Sequence, residues 1–323
     1  MKDFVISKNR IIVFAIIVVV IISICFFCSS TKQKTDMIRE IDRIIAEKSS
    51  ISESNMVYIH FSFDDVVYSF RDLRKEEYDS IFEESFFRYL QSMHIKYGAK
   101  FSLYTYNEEL KELSGKYASD FASNSDWLKI GLHSQYEGLL LSNTKYEKAK
   151  DYWEEFINNI KRICGTLDVV DRMPRLEGAA GSLEALKGMR DANYGALGFL
   201  DASDSRLSYY LTKDEIEHLC KNDYLKDEEN RLLFLSTDIR LETYEADGYR
   251  DLRVNGIIEE LIQRNQNEEY RSSRQNMLIF THEWYVYDGL RMKSNIDMVE
   301  AVCYYTRKYG IEFDYPQNRP INN

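Results

Sequence analysis

VYIHFSFDD, residues 57–65, is an apolar, β-rich run that ends in two adjacent carboxylates. Its Val, Ile, Tyr and Phe favour a pleated, buried strand. Asp64 and Asp65 therefore sit where a strand stops, and in parallel α/β proteins that end carries the chemistry. His60 lies four residues before Asp64, on the same face of the strand. An interior, hydrogen-bonded role is the plainer reading of it.

Outward from this stretch the same kind of run recurs: AKFSLYTY (99–106), LKIGLHS (128–134), LDVVDRM (167–173), GALGFL (195–200), LLFLSTDIRL (232–241), MLIFTHEWY (277–285) and IEFDY (311–315). Between them, amphipathic stretches predict helices near 76–97, 145–163, 182–192, 252–266 and 296–309. This alternation over residues 56–323 predicts one α/β domain of parallel strands, most simply a barrel. Polar residues fall at the strand ends: Asp64 and Asp65 on the first, His133 on the third, Arg172 and Arg175 on the fourth, Asp238 in the sixth, His282 on the seventh. Each has an ordinary explanation. An aspartate after a strand caps the next helix, a strand histidine is satisfied in the core, and an arginine pairs at the surface. Those explanations serve the residues singly, not their collection on one rim.

Composition narrows the partners. The 323 residues carry 53 acidic and 42 basic side chains, a net charge of −11, which excludes a protein built to grip phosphate backbones, so no nucleic acid is expected. Five cysteines are too few and too scattered for a disulfide framework or a structural zinc site. Cys164, Cys220 and Cys303 read as small buried hydrophobes.

The N-terminus differs from the rest. Residues Ile11 to Cys28 run for eighteen positions without a charge, about 27 Å as a helix and enough to cross a bilayer's hydrocarbon. Lys2, Lys8 and Arg10 precede it, so the tail 1–10 is expected in the cytoplasm and the bulk of the chain outside. A cleaved signal peptide is the rival reading. The length of the run and the lack of a small-x-small site after it favour a single-pass signal-anchor. Residues 29–55 read as a polar, partly helical stalk.

Five motifs, in order, resemble those of the polysaccharide deacetylases, the NodB-homology carbohydrate esterases. FSFDD (61–65) resembles the first, and GLHSQYEG (131–138) the second, which has a second His four residues after the first. RMPRLEG (172–178) is similar to the third, STDIRLE (236–242) to the fourth and LIFTHEW (278–284) to the fifth. The resemblance spans 57–285 and implies a distorted (β/α) barrel with about seven parallel strands.

It also implies a mechanism. Asp65 and His133 would bind one divalent metal ion, with Asp64 as general base and His282 as general acid. Asp238 would orient His282, and Arg172 would position Asp64. The substrate would be an acetylated polysaccharide or glycan at the cell surface, losing an N- or O-acetyl group. Glu137 stands where the family has its second metal histidine. A carboxylate is a legitimate ligand there, and one His with two carboxylates tilts the choice from zinc toward Mn²⁺ or Mg²⁺. Arg175 replaces the family's aromatic in the third motif, and Trp284 and Tyr285 follow His282, so these three are expected to line the sugar groove. Two other classes stay open. One is an inactive barrel that binds or scaffolds carbohydrate; the other, a two-carboxylate glycosidase, leaves His133 and His282 without roles.

Overall fold

The computed structural model describes residues 34–51, 54, 56–201, 208–244, 250–292 and 294–319. The chain divides into two compact units, residues 1–49 and 50–323. The first contributes a helix over 34–48, α1, which falls within the expected stalk. Its Arg43 pairs with Glu40 at 2.5 Å and with Glu47 at 2.7 Å, the spacings that bring charges side by side on a helix. The tail 1–10 and the apolar run to Cys28 lie outside the described residues. Among the described residues no helix is long and apolar enough to cross a membrane.

The second unit alternates strands and helices: β1 (Tyr58–Asp64), α2 (Tyr68–Lys75), α3 (Ser85–Tyr97), β2 (Phe101–Tyr106), α4 (Asn107–Lys111), α5 (Ala118–Ser123), β3 (Leu128–Ser134), α6 (Tyr146–Cys164), α7 (Leu183–Asp191), β4 (Phe199–Leu200), α8 (Lys213–Leu219), β5 (Tyr224–Asp227), β6 (Leu232–Leu235), β7 (Ile239–Arg240), α9 (Arg250–Gln266), α10 (Glu268–Ser273), β8 (Asn276–His282), α11 (Glu283–Met292), α12 (Ser294–Lys308) and β9 (Glu312–Phe313). One sheet has the order β3-β2-β1-β8-β7 with β9 beside the start of β1, and all its pairs are parallel. A second sheet, β4-β6-β5, pairs β5 antiparallel to β6. The parallel α/β class expected from the sequence is what the chain forms.

Several elements differ from expectation for local reasons. Residues 167–173 make a single bridge, Val170 to Ile130, because Asp171 Oδ1 accepts the Met173 N–H and turns the backbone toward Pro174. The run continues by single bonds to β4, from Leu197 N to Arg172 O and Leu200 N to Pro174 O. LLFLSTDIRL breaks at 236–238 into β6 and β7, so it passes from one sheet to the other. The helix expected near 76–97 is α3 alone, capped by the Glu84 carboxylate and closed by Gly98 at φ +71. Cys220 is exposed, while Cys164 and Cys303 are buried.

Side-chain alternation divides the strands. Phe61 and Phe63 point to the helical side, where Phe63 meets Phe86 of α3 edge-on at 5.1 Å. His60, Ser62 and Asp64 take the other face, and all are buried. There His60 meets Ser102 at 3.0 Å, and Ser102 donates to Asp171. Tyr104 lies across this interior because Gly131 opposite lacks a side chain; a Cβ there would stand 2.3 Å from the ring. β1 and β8 pair along their whole length, with Asp64 opposite His282. Two elements far apart in the chain thus end at the same level, and the site is built there.

Candidate active site

Asp64 closes β1, buried at 3% exposure, and Asp65 follows with φ +52. Neighbours in an extended chain point to opposite faces. The left-handed turn at Asp65, which aspartate tolerates better than most residues, ends the strand and brings both carboxylates to the same rim.

His133, near the end of β3, hydrogen-bonds through Nδ1 to the Arg175 carbonyl oxygen. A carbonyl only accepts, so Nδ1 carries a proton and Nε2 is the nitrogen turned toward the carboxylates. Nε2 lies 3.3 Å from Asp65 Oδ1 and 3.8 Å from Glu177 Oε2. The Tyr106 hydroxyl stands between the two acids, 2.5 Å from Asp65 Oδ1 and 2.6 Å from Glu177 Oε2. Asp65, His133 and Glu177 each offer a ligand atom, all within 4.8 Å of one another. Two carboxylates and an imidazole nitrogen thus converge beside one phenolic hydroxyl. Those ligand atoms suit a divalent cation that displaces the His133 Nε2 proton, and one imidazole with two carboxylates is a reasonable ligand set for one.

The third place in this cluster belongs to Glu177, not Glu137. The chain turns through 135–138 after β3 instead of entering a helix, so the offset of four from His133 does not aim Glu137 back, and it is exposed. Glu177 opens a short 3-10 turn, Glu177–Ala179, in the loop that begins with RMPR. No spacing rule ties it to His133. Its only sequence signal is membership of the third motif.

The arginines also depart from expectation. Arg175 is buried, its Nε 3.2 Å from Asp64 Oδ1, its Nη1 donating to the Asp201 carbonyl and at 2.8 Å to Thr237 Oγ1. Its guanidinium lies over the Phe280 ring at 4.5 Å. Arg175 is therefore an interior residue and not a wall of a sugar groove. Arg172 instead donates to the Gly195 carbonyl at 3.1 Å and lies over the Tyr194 ring. The turn at Asp171 reverses the chain between the two, so the later arginine faces inward.

His282 donates from Nδ1 to Glu242 Oε1 at 2.8 Å, and the same oxygen accepts the His282 backbone N–H at 2.6 Å and the Thr281 hydroxyl at 2.9 Å. Its Nε2 faces Asp65 Oδ2 at 3.7 Å. The expected partner, Asp238, is engaged elsewhere: it takes Arg274 Nη1 at 2.5 Å, the Tyr270 hydroxyl at 2.8 Å and the Leu278 N–H at 2.7 Å. Asp238 lies before the start of β7, while Glu242 lies beyond its end, level with His282. Trp284 is 38% exposed and stacks on the His282 ring at 5.4 Å. Tyr285 is 1% exposed, with its hydroxyl against the Met298 sulfur, and is a core residue.

Electrostatics separates the two central aspartates. Burial pushes the Asp64 carboxyl up, against the pull of the Arg175 guanidinium. Burial also acts on Asp65, but the hydrogen bonds from His133 and Tyr106 outweigh it and hold Asp65 well below the ordinary range. At His133 burial opposes charge, yet the Asp65 and Asp64 carboxylates carry it up to about 9. His282 is likewise raised: burial lowers it, and the Glu242 hydrogen bond and Asp64 more than compensate. Adjacent carboxylates in such different states suit different tasks.

No family model and no curated protein matches the chain. Solved structures match it in fold. A Mycobacterium smegmatis protein assigned to the polysaccharide deacetylases aligns with a TM-score of 0.50 at 10% identity, over 83% of this chain and 90% of that one. The 4-alpha-glucanotransferase of Thermococcus litoralis aligns with a TM-score of 0.51 at 13% identity, over 81% of this chain and 40% of that one. A family 4 acetyl xylan esterase from Clostridium thermocellum, in complex with a cobalt ion, aligns over 81% of this chain and 89% of that one, at 11% identity and a TM-score of 0.45. The chain thus resembles the polysaccharide deacetylases in fold as well as in the order of its motifs. A fold shared with a glucanotransferase does not choose the chemistry, so the site must.

Proposed function

We propose that the chain is a divergent, metal-dependent polysaccharide deacetylase, a distorted (β/α) barrel of about seven strands that removes acetyl groups, most simply N-acetyl, from a cell-surface or exported glycan. One observation carries this reading. The cluster of Asp65, His133 and Glu177 lies on the same rim as an Asp64–Arg175 pair and a His282–Glu242 pair.

Asp65, His133 and Glu177 would hold a divalent cation, which when bound supplies Lewis-acid polarisation of the acetyl carbonyl and makes a bound water more acidic. Asp64 takes the proton from the attacking water; burial raises its basicity, and Arg175 keeps it ionised. His282, held by Glu242 with Nδ1 as the donor, presents Nε2 toward Asp65 and hands a proton from it to the leaving amine or alkoxide. Trp284 offers an exposed ring beside His282 on which the apolar face of a sugar can stack. The apolar segment 11–28 would anchor the protein with the barrel on the extracytoplasmic side.

The full-length chain, purified in detergent, should hold close to one equivalent of divalent metal and release acetate from an acetylated glycan. Asp64→Asn should abolish release while leaving the metal bound. Protein that binds no divalent ion and releases no acetate across a broad glycan panel is instead the inactive binding form.

A further inference from the structure

Glu283 follows the proposed general acid and is wholly buried. Its carboxylate accepts three backbone N–H groups from another part of the chain: Oε2 takes Val67 at 2.6 Å and Tyr68 at 2.7 Å, and Oε1 takes Ser69 at 2.9 Å. These are the first N–H groups of α2, which no intrahelical carbonyl can serve. The cap residue Val67 supplies no side-chain bond, and the first turn holds no acidic residue of its own. A helix in this position usually carries Ser, Thr, Asp or Asn at the cap. Here the cap comes from the residue that follows the neighbouring parallel strand, β8.

The segment so capped begins two residues after Asp65. Just before it, Val66 N donates to the Tyr104 carbonyl of β2 at 3.0 Å and Thr105 donates to the Val66 carbonyl, and further along α2 Arg71 and Arg74 pair with Glu109 while Asp72 accepts from the Tyr287 hydroxyl. Asp65, at φ +52, is thus the hinge between a strand paired to β8 and a helix start held by the first residue after β8. We infer that Glu283 is a positioning residue: by capping α2 from the strand that bears His282, it sets where Asp65 stands relative to the general acid and to His133. The inference deepens the proposed function and rests on Asp65 being a metal ligand.

The test separates positioning from simple helix capping. In the full-length protein, Glu283→Ala should raise the dissociation constant for Mn²⁺, the probe ion, about tenfold, as loss of an outer-shell partner does. Glu283→Gln, which sets an amide NH₂ against backbone donors, should act in the same direction and serves if the alanine variant fails to fold. Adding Val67→Thr to either variant gives α2 a cap of its own. Mn²⁺ binding should stay weak in that double variant, and amide hydrogen exchange at Asp65 and Val66 should stay faster than in the parent. Recovery of both by the local cap, or a Mn²⁺ constant unchanged in the single variants, overturns the inference. Should the parent itself bind no Mn²⁺, the metal reading fails, and amide exchange at Asp65 and Val66 alone decides the tether.

Discussion

Arg175 Nε lies 3.2 Å from Asp64 Oδ1, and both side chains are buried, at 3% and 4% exposure. A pair withdrawn from water in this way is costly to break, because the surviving charge keeps its desolvation penalty. Arg175→Ala should therefore lower stability by about 3 kcal/mol or more. It should also reduce acetate release about a hundredfold, the scale of a general base that no longer holds its proper charge. Arg172→Ala should leave both within about 1 kcal/mol, as an arginine away from the site does. Urea unfolding and turnover on one glycan check the contrast, and equal effects of the two variants would refute the assignment.

Glu242 and Asp238 should separate in the same manner. Glu242→Gln removes the carboxylate that raises His282, so the alkaline limb of the pH–rate profile, where the acid loses its proton, should move to lower pH. Asp238→Asn should leave that limb in place and act on stability, since it breaks a buried pair with Arg274 worth about 3 kcal/mol. Profiles of kcat against pH for both variants distinguish them.

For the metal, Glu177→Ala should weaken binding by about a hundredfold or more, at or above the upper end of what an outer-shell partner is worth. Glu137→Ala should leave affinity unchanged. Titration calorimetry with Mn²⁺ reads both, and a loss confined to the Glu137 variant would restore the sequence-based ligand set.

His60 should make the fold sensitive to acid. Burial, reinforced by the nearby Arg175 charge, lowers its pKa from 6.5 to about 3. The folded chain keeps this imidazole neutral while the unfolded chain protonates it, so its contribution is intact above pH 6.5 and lost as pH falls toward 3. Within that window one proton is worth about 1.4 kcal/mol per pH unit. His60→Gln should flatten the fall of unfolding free energy between pH 6 and about 4, measured by urea titration at each pH. An unchanged slope would mean that His60 is not held neutral.

Much of the site was legible because strands announce their own ends. β1, β3 and β8 are continuous apolar runs, and Asp64, Asp65, His133 and His282 stand at their C-termini, so order along the chain placed them on one rim. Glu177, Arg175 and Glu242 were harder to assign. Each is held by an irregular segment, the loop through 171–179 or the break after β6, whose path depends on a turn at Asp171 or a change of sheet at 236–238. Tyr106 carried no motif signal, and Glu283 only its place inside the fifth motif, with no role attached to it. Tyr106 is the last of an ordinary aromatic strand, and Glu283 caps a helix more than two hundred residues away in the chain.

Local periodicity alone determined that this chain is a parallel α/β protein and which residue types end its strands, because apolar runs and side-chain alternation act over a few neighbouring positions. Tertiary structure decided which carboxylate joins Asp65 and His133, which arginine faces Asp64 and which acid holds His282. Those choices turn on gaps of three or four ångströms between distant segments, and on how far each group is withdrawn from water. No stretch of sequence encodes either by itself.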